Sequence, residues 1–247
     1  MLAVLAGTAG LLTQGHHLGT LLLQGLGGVG LLILALFFFW HELRHPDPVL
    51  QPRFFQHRTF AAANAAVALS NLAMYSTLLA IPILLANQPG WSSAQTGLVL
   101  TSMSATMVIF SPLGGRLSDR WGRRWPTMGG LALLTLGLFL LVLAGSEPVL
   151  PALIGGLGVA GIGLGLSSAG MQSAAVEAVT KKEAGVASGI FSTSRYLGSI
   201  VGSSVLPLLY VQGSGVAGFS SVLAMVVGAA LFSVVASLGL HHWPTVE

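Results

Sequence analysis

Gly115-Arg116-Leu117-Ser118-Asp119-Arg120-Trp121-Gly122-Arg123-Arg124 stands between two apolar segments, residues 94–115 and 126–145, that contain no charged side chain. Each is close to the ~20 residues that a helix needs to cross the hydrocarbon core of a bilayer. Four arginines and one aspartate are therefore confined to the link, and the pattern is that of two membrane spans joined at a polar surface. The two glycines permit a tight turn and close helix approach, and the arginines anchor the link at an anionic leaflet. Asp119 lies among guanidinium groups with which a carboxylate can pair. Basic residues alone would fit any polar link between spans, but the complete spacing is more specific than that.

The rest of the chain repeats the pattern. Its 247 residues have a mean hydropathy of +0.83, and 7% of them are charged, against about 25% in soluble domains. Cutting at charges, prolines and Gly-polar clusters leaves eight apolar segments: 1–13, 18–40, 59–87, 94–115, 126–145, 149–175, 186–211 and 215–240. Seven are long enough to span. The first is too short and lacks the basic start and small-residue cleavage site of a signal peptide. It reads as the back half of a helix, with Met1 an internal or truncated start and further spanning sequence expected before it. Continuous segments rich in Leu, Ala and Gly exclude the alternating ~10-residue strands of a membrane barrel. The fold class is an all-α integral membrane protein.

Arg44, Arg53 and Arg58 fall in the second connection, Arg116, Arg120, Arg123 and Arg124 in the fourth, and Lys181 and Lys182 in the sixth. The odd connections contain no Lys or Arg. By the positive-inside rule the basic side is cytoplasmic, which places the C-terminus in the cytoplasm and the chain in the plasma (inner) membrane as a multi-pass protein. All five tryptophans, Trp40, Trp91, Trp121, Trp125 and Trp243, fall at segment ends, where an indole rests at headgroup level. The formal net charge of +3 and the pI near 9.8 thus report orientation, and no nucleic-acid partner is expected. There is no cysteine, so thiolate chemistry is excluded. The Pro-rich stretch 41–58 is the one long polar connection. It separates residues 1–40, a partial helix and one complete one, from a six-helix bundle over 59–240 and a tail at 241–247.

The spacing G-x-x-x-D-R-x-G-R-R resembles the loop signature of the major facilitator superfamily, secondary transporters with two six-helix halves. Three more stretches are similar to its fourteen-span drug:proton antiporter group: Pro52-Arg53-Phe54-Phe55-Gln56-His57-Arg58-Thr59-Phe60, Gly161-Ile162-Gly163-Leu164-Gly165, and Gly185-Val186-Ala187-Ser188-Gly189 followed by Ser194-Arg195-Tyr196-Leu197-Gly198. The resemblance implies that the chain covers the end of a seventh helix, an eighth, and the C-terminal six-helix bundle, with an N-terminal half to be supplied by the same or a separate chain. It assigns Gly115, Asp119, Arg120, Gly122, Arg123 and Arg124 to a cytoplasmic gating loop that packs against that other half. It also implies proton-coupled efflux of a small drug-like or amphipathic molecule by alternating access.

The residues themselves bear on that expectation. Asn64, Asn71 and Tyr75 fall at i, i+7 and i+11, one stripe of an otherwise Ala- and Leu-rich helix. Such a stripe must face protein or a cavity, through interhelical hydrogen bonds or through contacts in the substrate path that the resemblance places on this helix. Met103, Met107 and Phe110 form an i, i+4, i+7 face suited either to an adaptable pocket or to plain packing. Gln172 with Ser168 is a weaker candidate. Arg195 lies about ten residues inside its span, at a depth that calls either for a functional role or for snorkelling to the basic side.

Gly161 and Gly165, Gly185 and Gly189, and Gly198 and Gly202 are small-xxx-small pairs, expected at close helix contacts. The deep parts of the last six spans contain no Asp or Glu, and the seven histidines, at 16, 17, 41, 45, 57, 241 and 242, lie in connections or the tail. The resemblance implies that the proton-binding carboxylate lies in the other half, with the proton as coupling ion, and no cofactor or metal is expected. No paired aspartates, Ser–His pair or zinc motif lies within a span, so an enzyme is not expected. The competing expectation is a non-transporting module, truncated or an interaction partner, that keeps only the bundle.

Overall fold

The computed structural model describes residues 52–86, 88, 90–143, 149–212 and 216–240, with the backbone alone for 52, 208–212 and 216–220. The helices expected over 1–40, the connection as far as residue 51, the tail at 241–247, Trp40, Trp243 and every histidine except His57 lie outside these residues.

A short 3-10 turn, Pro52–Gln56, leads into six helices: α1 Arg58–Ala86, α2 Ser93–Trp121, α3 Arg124–Leu143, α4 Leu150–Glu177, α5 Ala184–Gln212 and α6 Val216–Ser237. There is no strand among the described residues. The four helices α1 to α4 are long and apolar enough to cross a membrane. Sequence details fix their ends. Ser92 caps α2, its hydroxyl accepting from the Gln95 backbone N–H while the Gln95 side chain accepts from the Ser92 backbone N–H at 2.9 Å. Pro151 opens α4, where the missing N–H costs nothing. Phe54, in the turn, is buried and meets the Phe60 ring edge-on at 5.5 Å, which ties the chain entering α1 to its first turn.

The stretch from Gly115 to Arg124 is helical for most of its length. Helix α2 runs on through Gly115 to Trp121 rather than stopping with the apolar run at 115, and the corner turns at Gly122, with φ +80°. Of the two glycines expected to make the turn, only Gly122 needs a left-handed backbone. The helix persists because residues 116–121 contain no breaker, and their charges project from its last turns at the polar end.

Helix α4 packs along α2 and α3, while α1 packs along α5 and α6; contacts of α3 with α6 and of α1 with α4 join the two sets. Small residues set these distances. A Cβ at Gly165 would lie 2.6 Å from the Met107 carbonyl oxygen of α2, and one at Gly202 would lie 2.6 Å from that of Leu72 in α1. Gly161 and Gly198 are as tightly covered, by the carbonyls of Met103 and Ala68. Gly185 and Gly189 differ from the expectation: nothing among the described residues lies within 4 Å of a Cβ there, because they sit on a face of α5 that no other helix of the bundle covers.

Candidate functional site

Four helices leave a cavity of about 220 Å³ between them, walled by Val67, Ser70, Asn71, Met74 and Tyr75 of α1, Met107 of α2, Leu164, Ser168, Met171 and Gln172 of α4, and Phe191 and Arg195 of α5. Five of the residues singled out from sequence, Asn71, Tyr75, Met107, Gln172 and Arg195, meet here with Ser168. Asn71 donates to the Val67 carbonyl of the preceding turn at 2.9 Å, and Ser168 to that of Gly165 at 3.2 Å. These bonds stay within each helix, so neither polar group spends its capacity on joining helices.

Two stripe members are placed elsewhere. Asn64 is buried two turns nearer the basic end, where α5 closes over α1: its amide donates to the Phe60 carbonyl at 2.8 Å, and its carbonyl accepts from the Ser194 hydroxyl at 2.8 Å. It holds α1 to α5. Met103 is buried where its backbone touches Gly161, an approach too close to leave a void. Met74, Met171 and Phe191 complete the wall and were not singled out from sequence, because an apolar residue at helical spacing looks the same whether it meets a neighbour or a cavity.

Arg195 is the one charged residue of this wall. Its Cζ lies 5.6 Å from the Phe191 ring centroid, one turn toward the basic end, and its Nε is buried with no hydrogen-bond partner. A cation–π contact returns about 0.5 to 2 kcal/mol. An arginine near mid-span costs about 2.5 to 3.5 kcal/mol on insertion scales. The ring contact alone therefore leaves the guanidinium under-compensated.

A second cluster forms where α2, α3 and α4 meet at the basic end. Arg123 donates from Nη1 to Asp119 at 2.6 Å, from Nη2 to one Glu177 oxygen at 2.6 Å and from Nε to the other at 3.1 Å. The Glu177 hydrogen bonds, opposed by partial burial and helped by Asp119, hold the guanidinium well above its ordinary range. Arg123 thus clamps the α2–α3 corner to the end of α4. Glu177 stands at the end of an apolar segment, and its scarcity, as one of seven acids in the chain, is the sequence signal that points to it. Arg120 is exposed and Arg124 half-buried, with Nε lacking a partner. The Ser118 and Thr127 hydroxyls are also buried without partners, and both crowd Gly170 of α4. On the neighbouring connection Arg53 approaches Glu183 at 3.7 Å, and the Thr180 hydroxyl donates to Glu183 at 2.7 Å. The described basic connections therefore gather at one end of the bundle. No group of three or more His, Asp or Glu that could hold a metal occurs among the described residues.

Comparison with known proteins places this geometry. A sequence model described as Major Facilitator Superfamily matches residues 63–242. The chain is 33% identical over 215 residues to the uncharacterized MFS-type transporter YvkA of Bacillus subtilis, covering 85% of this chain and 46% of that protein. It is 36% identical over 169 residues to multidrug resistance protein Stp of Mycobacterium tuberculosis, covering 68% of this chain and 31% of that one. A multidrug resistance protein B homolog of M. tuberculosis is 25% identical over 190 residues, 76% of this chain and 35% of its own length. The chain spans less than half the length of each of these relatives.

Proposed function

The chain belongs to the Major Facilitator Superfamily, and from that premise we propose that it is the C-terminal portion of a proton-coupled efflux transporter for small amphipathic molecules. The observation that carries the reading is the cavity between α1, α2, α4 and α5, where amide, hydroxyl, methionine and aromatic side chains meet one arginine. Flexible thioethers and rings accept ligands of varied shape, while the few polar groups orient them. Relatives named multidrug resistance proteins support the substrate class.

In this reading the six helices form one half of a rocking pair, and the other six-helix half comes from the same or a separate chain. The basic end faces the cytoplasm of a multi-pass plasma-membrane protein, and the C-terminus lies there too. Asp119 and the arginines of the α2–α3 corner latch against the other half when the cavity opens outward. Arg123 and Glu177 keep the corner rigid so that the latch closes as a unit. The last six spans carry no carboxylate at depth, so the group that takes up and releases the coupling proton resides in the other half. The chain moves its substrate without altering it and uses no cofactor.

The test is dye or drug accumulation in cells expressing this chain alone and in cells expressing it joined to the coding sequence directly upstream, with and without a protonophore. Protonophore-sensitive efflux by the joined form only is the expected result. Efflux by the short chain alone would point to a homodimer of halves. Equal accumulation in both and in empty cells would favour a non-transporting membrane module.

A further inference from the structure

Arg195 is a charge that the bundle leaves unbalanced. It stands eleven residues into α5, about 17 Å along the helix axis. The described carboxylates, Asp119, Glu177 and Glu183, all lie at the basic end and pair with Arg123 or Arg53. Arg195 makes no ion pair among the described residues, its Nε is buried without a hydrogen-bond partner, and its Cζ lies 5.6 Å from the Phe191 ring centroid. The wall around it holds no carboxylate. The same wall holds three thioethers, Met74, Met107 and Met171, and the amide of Gln172.

A fixed positive charge in an apolar recess repels organic cations and draws an anion, because both charges lose water on entering and only the opposite one regains a partner. A guanidinium also presents a planar fork of N–H donors that matches an acid group better than a single ammonium would. We infer that the cavity takes amphipathic organic monoanions, with the acid group on Arg195 and the apolar body against the methionine wall. The inference rests on the reading of this cavity as the substrate path and narrows that path to one charge class.

Three probes with one aromatic body test it: 2-naphthoate, neutral 2-naphthamide and cationic 2-naphthylmethylammonium. Binding to the purified 247-residue chain in phosphatidylcholine nanodiscs is followed by naphthalene fluorescence, with empty discs subtracted. Naphthoate is expected to bind about 10-fold more tightly than the amide, as a charge-assisted bond allows, and the ammonium more weakly than either. Arg195→Gln should abolish the preference for naphthoate over the amide, whereas Arg195→Lys should keep a preference for naphthoate.

Size exclusion and helical circular dichroism check that each variant folds, and the comparison of the three probes on the unaltered chain stands without any variant. Equal binding of the three, tighter binding of the ammonium, no binding of naphthoate, or a naphthoate preference that survives in Arg195→Gln overturns the inference. Loss of the naphthoate preference in the joined protein, as when a carboxylate of the other half is seated on Arg195, overturns it too. Parallel efflux assays of the joined protein with an anionic, a neutral and a cationic dye separate the two readings: efflux of any dye without a naphthoate preference sinks the charge class alone, and a naphthoate preference without efflux of any dye sinks transport alone.

Discussion

Neutralising Glu177 should loosen the basic end of the bundle more than neutralising Asp119, although Asp119 is the acid that stands inside the sequence signature. Arg123 is only 15% exposed and reaches both, but the two contacts differ in kind. Asp119 is 70% exposed, gives one 2.6 Å bond, and sits at i−4 from Arg123, so it ties a segment to itself. Pairs of that sort contribute about 0.3 to 0.5 kcal/mol. Glu177 is 42% exposed, takes two hydrogen bonds at 2.6 and 3.1 Å, and lies 54 residues away on α4. A bidentate pair with one shielded partner belongs at the top of the exposed range, about 1 kcal/mol. That is about a 5-fold change in an equilibrium constant against about 2-fold for Asp119, since 1.4 kcal/mol is tenfold.

The assay is a double-mutant cycle on reversible unfolding in mixed micelles, using Arg123→Gln with Glu177→Gln and, separately, Arg123→Gln with Asp119→Asn. Both couplings should shrink as salt rises, the Asp119 one more completely. A coupling to Asp119 equal to or larger than that to Glu177, or neither exceeding about 0.2 kcal/mol, would refute the clamp.

Other expectations are more direct. Asp119→Asn in the joined protein should weaken efflux while membrane insertion stays normal, because an amide cannot carry the latch charge; unchanged efflux at normal expression removes the latch role. Asn71→Ala and Tyr75→Phe should change which compounds are exported more than they change protein abundance, and an equal fall in both would make them packing residues. Gly202→Leu should push α5 off α1, lowering unfolding stability by about 1 to 3 kcal/mol, as overpacked cores do, whereas Gly189→Ala, with nothing within 4 Å of its Cβ, should be tolerated in the isolated chain.

The connection before α5 gives a pH test. Hydrogen bonds from Thr180, with Arg53 nearby, hold the Glu183 carboxyl below its usual range. Its contribution is then full above the unfolded glutamate value of about 4.3 and is lost as pH falls through the lower folded value. Amide-exchange protection, taken relative to the intrinsic rate at each pH, should fall for residues near 180–184 only on that acid side, and Glu183→Gln should abolish that fall.

The sequence by itself determined that the chain is helical in a membrane, where its six C-terminal helices fall within a few residues, and that the basic connections share one end. Lipid enforces this: a backbone without water must satisfy itself in helices, and a charge at depth is expensive, so apolar runs and arginine positions write the topology directly into the chain. The signature hid its own local structure, because the charged turns from Arg116 to Trp121 lie beyond the apolar run yet remain helical, and only Gly122 breaks them.

What the tertiary structure decided is which members of each stripe face a void. Asn64 and Asn71 share an angle on α1, but about 10 Å of axial rise puts one under Ser194 and the other on the cavity wall. Gly185 and Gly189 repeat the spacing of Gly198 and Gly202, yet only the latter pair meets a neighbouring backbone. Helical period gives direction around an axis; which helix stands in that direction, and how closely, is set by the packing of residues far apart in the chain.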